Sequence, residues 1–423
     1  MKYEKSATSG LSLVNTMTGK KEPFKPRQTK SAKVFTCGPS IYKRPHIGNY
    51  RTFLYEDILQ RYLEYRGFHV TRLINFTDVE DKALEEMEKK GVSLEALTNP
   101  VAEQFYRDAG LLRIQLPPLI PRSSTTLAQA VDLIKTLLKH GYAYRHEGDV
   151  FYDPLRFNGF GKLFGLDMSR WPKQKRRFRK DTYPGNRWNL GDFILWHGDK
   201  NKKKGDLSWK TPIGRGRPAW NIQDAAMITS HLGFQIDISC GGVDNLYRHH
   251  DYTLAIIEAI TGKPFARHWL HGEHVLVDGS KMSKSKGNTI YPDMLIKDGV
   301  HARHIRFFLI SKHYRHPLNL TKTRLKEVST RLDSFREMIR TIIHIEADIH
   351  KSGDAAPKVV ASLDDNFIRC LNNDLDVPAA FDGLYRTIST LTTMKSKGNL
   401  SVEHSEKTRK ALEGIDGVLQ VVF

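Results

Sequence analysis

The chain has 423 residues, and its 66 Lys and Arg against 47 Asp and Glu give a formal net charge of +19. That length suggests roughly two to four structural units, and a hydrophobic fraction of 39% with 10% aromatics excludes disorder throughout. No apolar run approaches the ~18 residues of a membrane span. The opening MKYEKSATSG lacks the apolar core of a signal peptide, and Cys37, Cys240 and Cys370 are too few for a disulfide framework. A soluble cytoplasmic protein with no membrane partner is expected.

The first expected element is a strand over residues 33–38 (KVFTCG), ending at Gly38 and Pro39. A helix follows with Phe53, Leu54, Ile58, Leu59 and Tyr62 on one stripe, and a second extended run, HVTRLINFTDVED, comes after Gly67. Strand, helix and strand in this short compass form a parallel βαβ unit. The fold class expected is therefore α/β, a Rossmann-type parallel sheet whose ligands bind at the carboxyl ends of the strands. Residues 84–145 read as helices around PRSSTTLAQAVDLIKTLLKHG, with Ser124 or Thr125 as the starting cap and Gly141 at the end.

Between Trp171 and Arg217 there are 14 Lys and Arg against 4 Asp in 47 residues. The runs KQKRRFRK (Lys173 to Lys180) and KNKKK (Lys200 to Lys204) are interleaved with Trp171, Phe178, Tyr183, Trp188, Trp196 and Trp209. Basic side chains neutralise phosphates and aromatic faces stack on bases, so this insertion reads as a nucleic-acid surface. The alternative is a solvated insertion whose aromatics pack inward. From Ile222 to His274 strand and helix signals alternate again. After Leu320 the residues Leu325, Val328, Leu332, Phe335, Ile339 and Ile342 repeat at three and four, the seam of a helical bundle. HKSGDAAP (His350 to Pro357) reads as a turn between helices.

Two short motifs carry chemistry. PHIGN (Pro45 to Asn49) sits where the first strand turns into its helix, where unpaired N–H groups and the helix dipole favour phosphate; His46 adds a donor and Gly48 lets a nucleotide approach the backbone. KMSKSKGN (Lys281 to Asn288) places Lys281 and Lys284 three residues apart among small residues, so that a loop can bring ammonium groups to a polyphosphate.

Together these motifs resemble those of class I aminoacyl-tRNA synthetases. FTCGPSIYKRPHIGNYRTF, NFTDVEDK, PAWNIQDAAM, CGGVDNLYRHH and HGEHVLVDGSKMSKSKGN extend the resemblance to the cysteinyl-tRNA synthetase family. The resemblance implies a catalytic domain over 1–320, with a connective-peptide insertion at about 100–217 and the lysine loop at 281–288, then a helical bundle over 321–423 that resembles an anticodon-arm domain. It implies ATP-dependent formation of an aminoacyl-adenylate, transfer to the terminal ribose of tRNA, and Mg²⁺ accompanying ATP. Carried over by residue, His46 and Asn49 hold ATP phosphates and ribose, Lys281 and Lys284 stabilise the α-phosphate, and Gly38, Pro39 and Gly48 line the nucleotide site. Asp78 and Asp81 orient the substrate amine or the neighbouring loop, or cap the next helix.

The chain departs from the family at the metal that takes the substrate thiol. Of four implied zinc ligands, Cys37 and His249 are present, while Asp224 and Thr253 replace a cysteine and a glutamate. Ser239 replaces a histidine in DISCGG. Zinc is therefore doubtful. One arrangement remains, a three-ligand site of Cys37, Asp224 and His249 with an open fourth position. Without zinc the pocket selects its amino acid by shape and hydrogen bonding through Trp220, Ser239 and Asp224, with Asp224 able to pair with a substrate cation. The sequence also stops where the family continues into a small anticodon-reading domain, an outline shared with the cysteine ligase of mycothiol synthesis. The expected partners are an amino acid and tRNA, or an RNA-like acceptor, bound through the basic 171–217 insertion. The alternatives are a small amine acceptor or a non-catalytic RNA-binding paralogue.

Overall fold

The computed structural model describes residues 10–178, 190–199, 207–282, 287–343 and 355–423. A hairpin of β1 (Ser12–Asn15) and β2 (Lys20–Pro23) precedes β3 (Ser31–Thr36), α1 (Ile47–Tyr65) and β4 (His69–Ile74). Helices α2 (Asp81–Lys90), α3 (Leu94–Leu111) and α4 (Leu127–Lys139) lead into strands β5 (Ala143–His146), β6 (Asp149–Tyr152), β7 (Arg177–Phe178), β8 (Asp192–Gly198), β9 (Trp209–Thr211) and β10 (Gly214–Pro218). The chain then runs α5 (Trp220–His231), β11 (Ile236–Gly242), α6 (Asp251–Thr261), β12 (Ala266–Gly272), β13 (Val275–Val277), β14 (Ser280–Lys281), α7 (Pro292–Lys297), α8 (Ala302–Ile310) and β15 (Leu318–Leu320). It finishes with α9 (Lys322–Ile343), α10 (Ala356–Leu371), α11 (Val377–Ser396) and α12 (Val402–Leu419).

The central sheet has the order β12-β11-β3-β4, and every pairing in it is parallel. Parallel strands are covered on both faces, which is why β11 is buried along its whole length. The chain leaves β3 toward β4 on one side and reaches β12 through β11 on the other. The strand order therefore reverses between β3 and β11, and a crevice opens beyond their carboxyl ends. This is the expected α/β class.

One face of the sheet packs on α1, whose Phe53, Leu54, Ile58, Leu59 and Tyr62 are all buried in a core that continues through α8 into α9–α12. The expected seam of α9 is buried at all six positions. The other face packs on α4, α5 and α6 and on the antiparallel sheet formed by β5, β6, β8, β10 and β9.

Three local expectations change. Thr126 is the residue preceding α4 and makes no side-chain cap, while Ser123 and Ser124 bind Asp78 instead. Trp171 and Trp196 pack inside the second core, so they do not offer faces to bases. Lys175 is committed to Asp153 at 2.9 Å and Asp192 at 3.1 Å. Tyr183, Trp188, Lys200 to Lys204, and most of HKSGDAAP lie outside the described residues. Among the described residues no helix is long and apolar enough to cross a membrane.

Candidate active site

The helix following β3 begins at a reciprocal cap. His46 Nδ1 accepts from the Gly48 N–H at 3.1 Å, and Asn49 Oδ1 accepts from the His46 N–H at 2.9 Å. An Nδ1 that accepts fixes the neutral ring as the Nε2–H tautomer, so the outward nitrogen is a donor. A Cβ at Gly48 would lie 3.0 Å from the His46 ring and would press on the capping imidazole. The other N–H groups of the first turn keep the character of an anion site.

The segment that follows the second motif packs against the start of this helix. Ile47 N–H donates to the carbonyl of Ile290 at 2.9 Å, two residues beyond KMSKSKGN. The hairpin of β13 and β14 carries Lys281, which is exposed, and Asn288 Nδ2 donates to the Lys281 carbonyl at 3.3 Å. Lys284 lies outside the described residues. Arg51, one turn into α1, donates to the carbonyls of Glu273, His274, His313 and His316. It thereby ties the helix bearing His46 to the segment that leads into the lysine loop. Burial with no carboxylate bonded to it pulls this guanidinium down to about 10.

Across the crevice, Cys37 follows β3, Asp224 lies on α5 and His249 precedes α6, and their ligand atoms all fall within 4.8 Å of one another. Asp224 Oδ2 is 3.8 Å from His249 Nδ1. The Trp220 and His249 rings are 4.4 Å apart. Burial, then the charges of Asp224, Glu56 and Asp244, push the Cys37 thiol well above its ordinary value. A cation among these donors would reverse that shift. Sulfur, carboxylate oxygen and imidazole nitrogen are all zinc donors, so the three-ligand arrangement fits zinc. Thr253 is buried on α6 and is not one of the three.

Two residues missed in the sequence complete this cluster. Asn75 bridges it, donating through Nδ2 to Asp224 Oδ1 at 2.9 Å and accepting through Oδ1 from the Gly38 N–H at 2.9 Å. Asn245 Nδ2 donates to Cys37 Sγ at 3.6 Å. Asparagines at a strand end and after a glycine pair were the available signal. Gly38 is fixed by crowding, since its Cβ would fall 1.7 Å from the Asn75 carbonyl oxygen; the adjoining Pro39 carbonyl accepts from Thr77 N–H at 3.2 Å. Ser239 is buried on β11, and its hydroxyl has no hydrogen-bond partner among the described residues. Asp78 holds Ser123 and Ser124 at 2.7 and 2.6 Å, and Asp81 pairs with Arg217. Asp78 thus orients a neighbouring loop, as one of the expectations had it.

Residues 23–330 match the family of tRNA synthetases class I (C) catalytic domains. The chain is 35% identical over 422 residues to the cysteine–tRNA ligase of Chlamydia pneumoniae, covering 99% of this chain and 87% of that protein. It is 36% identical over 343 residues to that of Geobacillus thermodenitrificans, covering 79% and 70% respectively. In fold it is similar to Mycobacterium tuberculosis methionyl-tRNA synthetase bound by methionyl-adenylate, with a TM-score of 0.69 at 13% identity over 92% of each chain. With a family match over residues 23–330 and similarity running along nearly the whole chain, this protein belongs to the cysteine–tRNA ligase family of class I synthetases and is an ATP-dependent aminoacyl-tRNA ligase.

Proposed function

We propose that the chain activates cysteine, with His46, Asn49, Lys281 and Lys284 acting on ATP and Cys37, Asp224 and His249 holding zinc beside the amino-acid side chain. The observation that supports this reading is the Ile47 to Ile290 hydrogen bond, which sets the residue two beyond KMSKSKGN against the first residue of the PHIGN helix, at the end of β3 that also carries Cys37 of the three-donor cluster.

In the first step the amino-acid carboxylate oxygen bonds to the α-phosphorus of ATP and the bond to the pyrophosphate oxygen breaks. The Nε2–H of His46 and the N-terminus of α1 supply donors to the phosphates, with Mg²⁺ entering alongside ATP. Lys281 and Lys284 supply positive charge as it becomes needed on the phosphoryl oxygens. In the second step a hydroxyl of the tRNA terminal ribose attacks the acyl carbon and AMP leaves. Zinc, when bound, supplies a Lewis-acid contact that favours a thiol side chain over a hydroxyl. Asn75 turns Oδ1 of Asp224 away from that role and leaves Oδ2 toward His249. Trp220 walls the pocket, and the buried Ser239 hydroxyl offers a further hydrogen bond to bound substrate. Gly38, Pro39 and Gly48 allow the nucleotide to approach the backbone.

The basic 171–217 insertion contacts the tRNA through its lysines and arginines, not through Trp171 or Trp196. Charging of tRNA with labelled cysteine tests the whole reading; equal charging with serine would remove the role given to the metal.

A further inference from the structure

Where the helical bundle meets α1, arginines from three chain segments come together: Arg113 in the turn after α3, Arg303 on α8, and Arg336 and Arg340 on α9. Arg113 Nη1 donates to the main-chain oxygen of Phe423 at 3.1 Å, and Arg336 Nε donates to that of Val422 at 2.8 Å. Their guanidiniums therefore meet at consecutive residues of the segment after α12. Arg303 faces the same place. Burial, then repulsion from Arg113 and Arg340, pulls its guanidinium below the ordinary value, with Asp333 and Asp416 opposing. Burial, then repulsion from Arg303 and Arg340, does the same to Arg336.

The acids nearby are already engaged. Asp416 Oδ1 accepts from Val421 and Val422 N–H at 2.7 and 2.8 Å, and its Oδ2 from Phe423 N–H at 3.1 Å. Asp333 pairs with His304 at 2.8 Å, and Glu337 with Arg340 at 3.0 Å. Arg303 is left over: its Nε is enclosed by protein and has no hydrogen-bond partner among the described residues. An enclosed charged donor without an acceptor is costly, and an incoming anion removes that cost. Arg113 stands at φ 53, a left-handed conformation that a long side chain keeps only where its surroundings hold it. Arg61 Nη2 and Arg306 Nη1 do so, donating to its carbonyl at 3.0 and 3.2 Å. Arg306 is itself buried, and it donates to Asp57 of α1 at 2.6 Å and to the Leu419 carbonyl of α12 at 2.7 Å. The cluster is thus built on a fixed joint between α1, α8 and the end of α12.

Guanidinium forks match the oxygens of a phosphate, and several of them on one point favour a compact dianion. A nucleic-acid backbone instead calls for cations spread along a stripe or a helix face. The start of α8, where His301 Nδ1 accepts from Arg303 N–H at 3.2 Å, adds the positive end of a helix dipole. We propose that Arg303, with Arg113 and Arg336, binds a phosphate dianion, either inorganic phosphate or the phosphate end of a small metabolite, at the joint between the helical bundle and the catalytic domain. The anion supplies the acceptor that Arg303 lacks and ties α8, α9 and the turn after α3 together. It stabilises the joint and takes no part in the reaction at the crevice.

The test is calorimetric titration of the full chain, at constant ionic strength, with inorganic phosphate and separately with glycerol phosphate, for wild type, Arg303→Gln and Arg340→Gln. Phosphate taken up at the ATP site is common to all three chains and drops out of the comparison. A charge-assisted hydrogen bond is worth about 10- to 100-fold in affinity, so Arg303→Gln is expected to lose that much. Arg340→Gln, at an exposed position, is expected to lose a smaller part and serves as the test if Arg303→Gln does not fold. The denaturation midpoint should climb more steeply with phosphate in wild type than in Arg303→Gln. Glycerol phosphate binding as tightly as inorganic phosphate assigns the site to the phosphate end of a metabolite, and weaker binding assigns it to the free ion. Equal phosphate affinity in all three chains overturns the proposal. So does weakened tRNA binding by Arg303→Gln with phosphate affinity unchanged, because the arginines then serve the RNA. Loss of ATP–pyrophosphate exchange in Arg303→Gln also overturns it, since the residue then acts through the catalytic crevice.

Discussion

Asn75 Nδ2 donates to Asp224 Oδ1 across 2.9 Å, while Asn75 Oδ1 accepts from the backbone of Gly38, next to Cys37. One buried amide therefore fixes the positions of two of the three proposed metal donors relative to each other. Replacing it by Ala leaves a carboxylate oxygen and a backbone N–H without their partners in a buried place. Orienting partners of this kind are worth about 10–100-fold in metal affinity. Asn75→Ala is expected to weaken zinc binding by that factor in a chelator competition, and Asp224→Cys to strengthen it.

The imidazole of His46 has two tasks that different substitutions separate. Its Nδ1 caps α1, and in the proposed reaction its Nε2–H is the donor to phosphate. His46→Ala loses both, costing about 0.5–2 kcal/mol of stability from the cap and about 10²–10³ in the rate of adenylate formation. His46→Ser restores a capping oxygen. Thermal denaturation should recover in that variant while the single-turnover rate stays low.

Arg51 is a buried cation bonded to four backbone carbonyls from two loops. Arg51→Met strands those acceptors and loosens the lysine-loop root from α1. Each buried unsatisfied group costs about 1–3 kcal/mol, so a loss of several kcal/mol in urea denaturation is expected, with a raised KM for ATP. Arg51→Lys keeps a charge without the fork and should fall between the two.

Acid sensitivity follows from His271. Its Nε2 meets His250 Nδ1 at 2.8 Å and its Nδ1 meets Thr16 Oγ1 at 2.8 Å, and burial holds the ring down to about 3 against an ordinary 6.5. The folded state prefers the neutral ring. Its contribution is complete above pH 6.5 and is withdrawn as pH falls toward 3, at up to about 1.4 kcal/mol per pH unit. Denaturation midpoints measured between about pH 7 and pH 5 should fall in the wild type and fall less steeply in His271→Asn.

Periodicity made the elements legible because each buried face repeats at its own period. The α9 seam and the α1 stripe are buried at every residue named from the sequence. The motifs were legible because glycine, histidine and lysine at fixed offsets have few other uses. The destinations of polar side chains were not legible. Ser124 looks like a cap, yet Asp78, 46 residues away in the chain, takes it. Trp196 lies in a basic stretch but sits on β8 with its side chain in the core. Asn75 gives no sign in the sequence that its partner is 149 residues away. Such pairings depend on which loops the sheet order brings to the switch point, and no local pattern encodes that.

Amino-acid-dependent ATP–pyrophosphate exchange by the purified protein, run separately with each standard amino acid and without tRNA, tests the central claim most directly. The account predicts exchange with cysteine, little with serine, and loss of cysteine exchange on chelation. Exchange with no amino acid, or exchange with a cationic amino acid in place of cysteine, would contradict it.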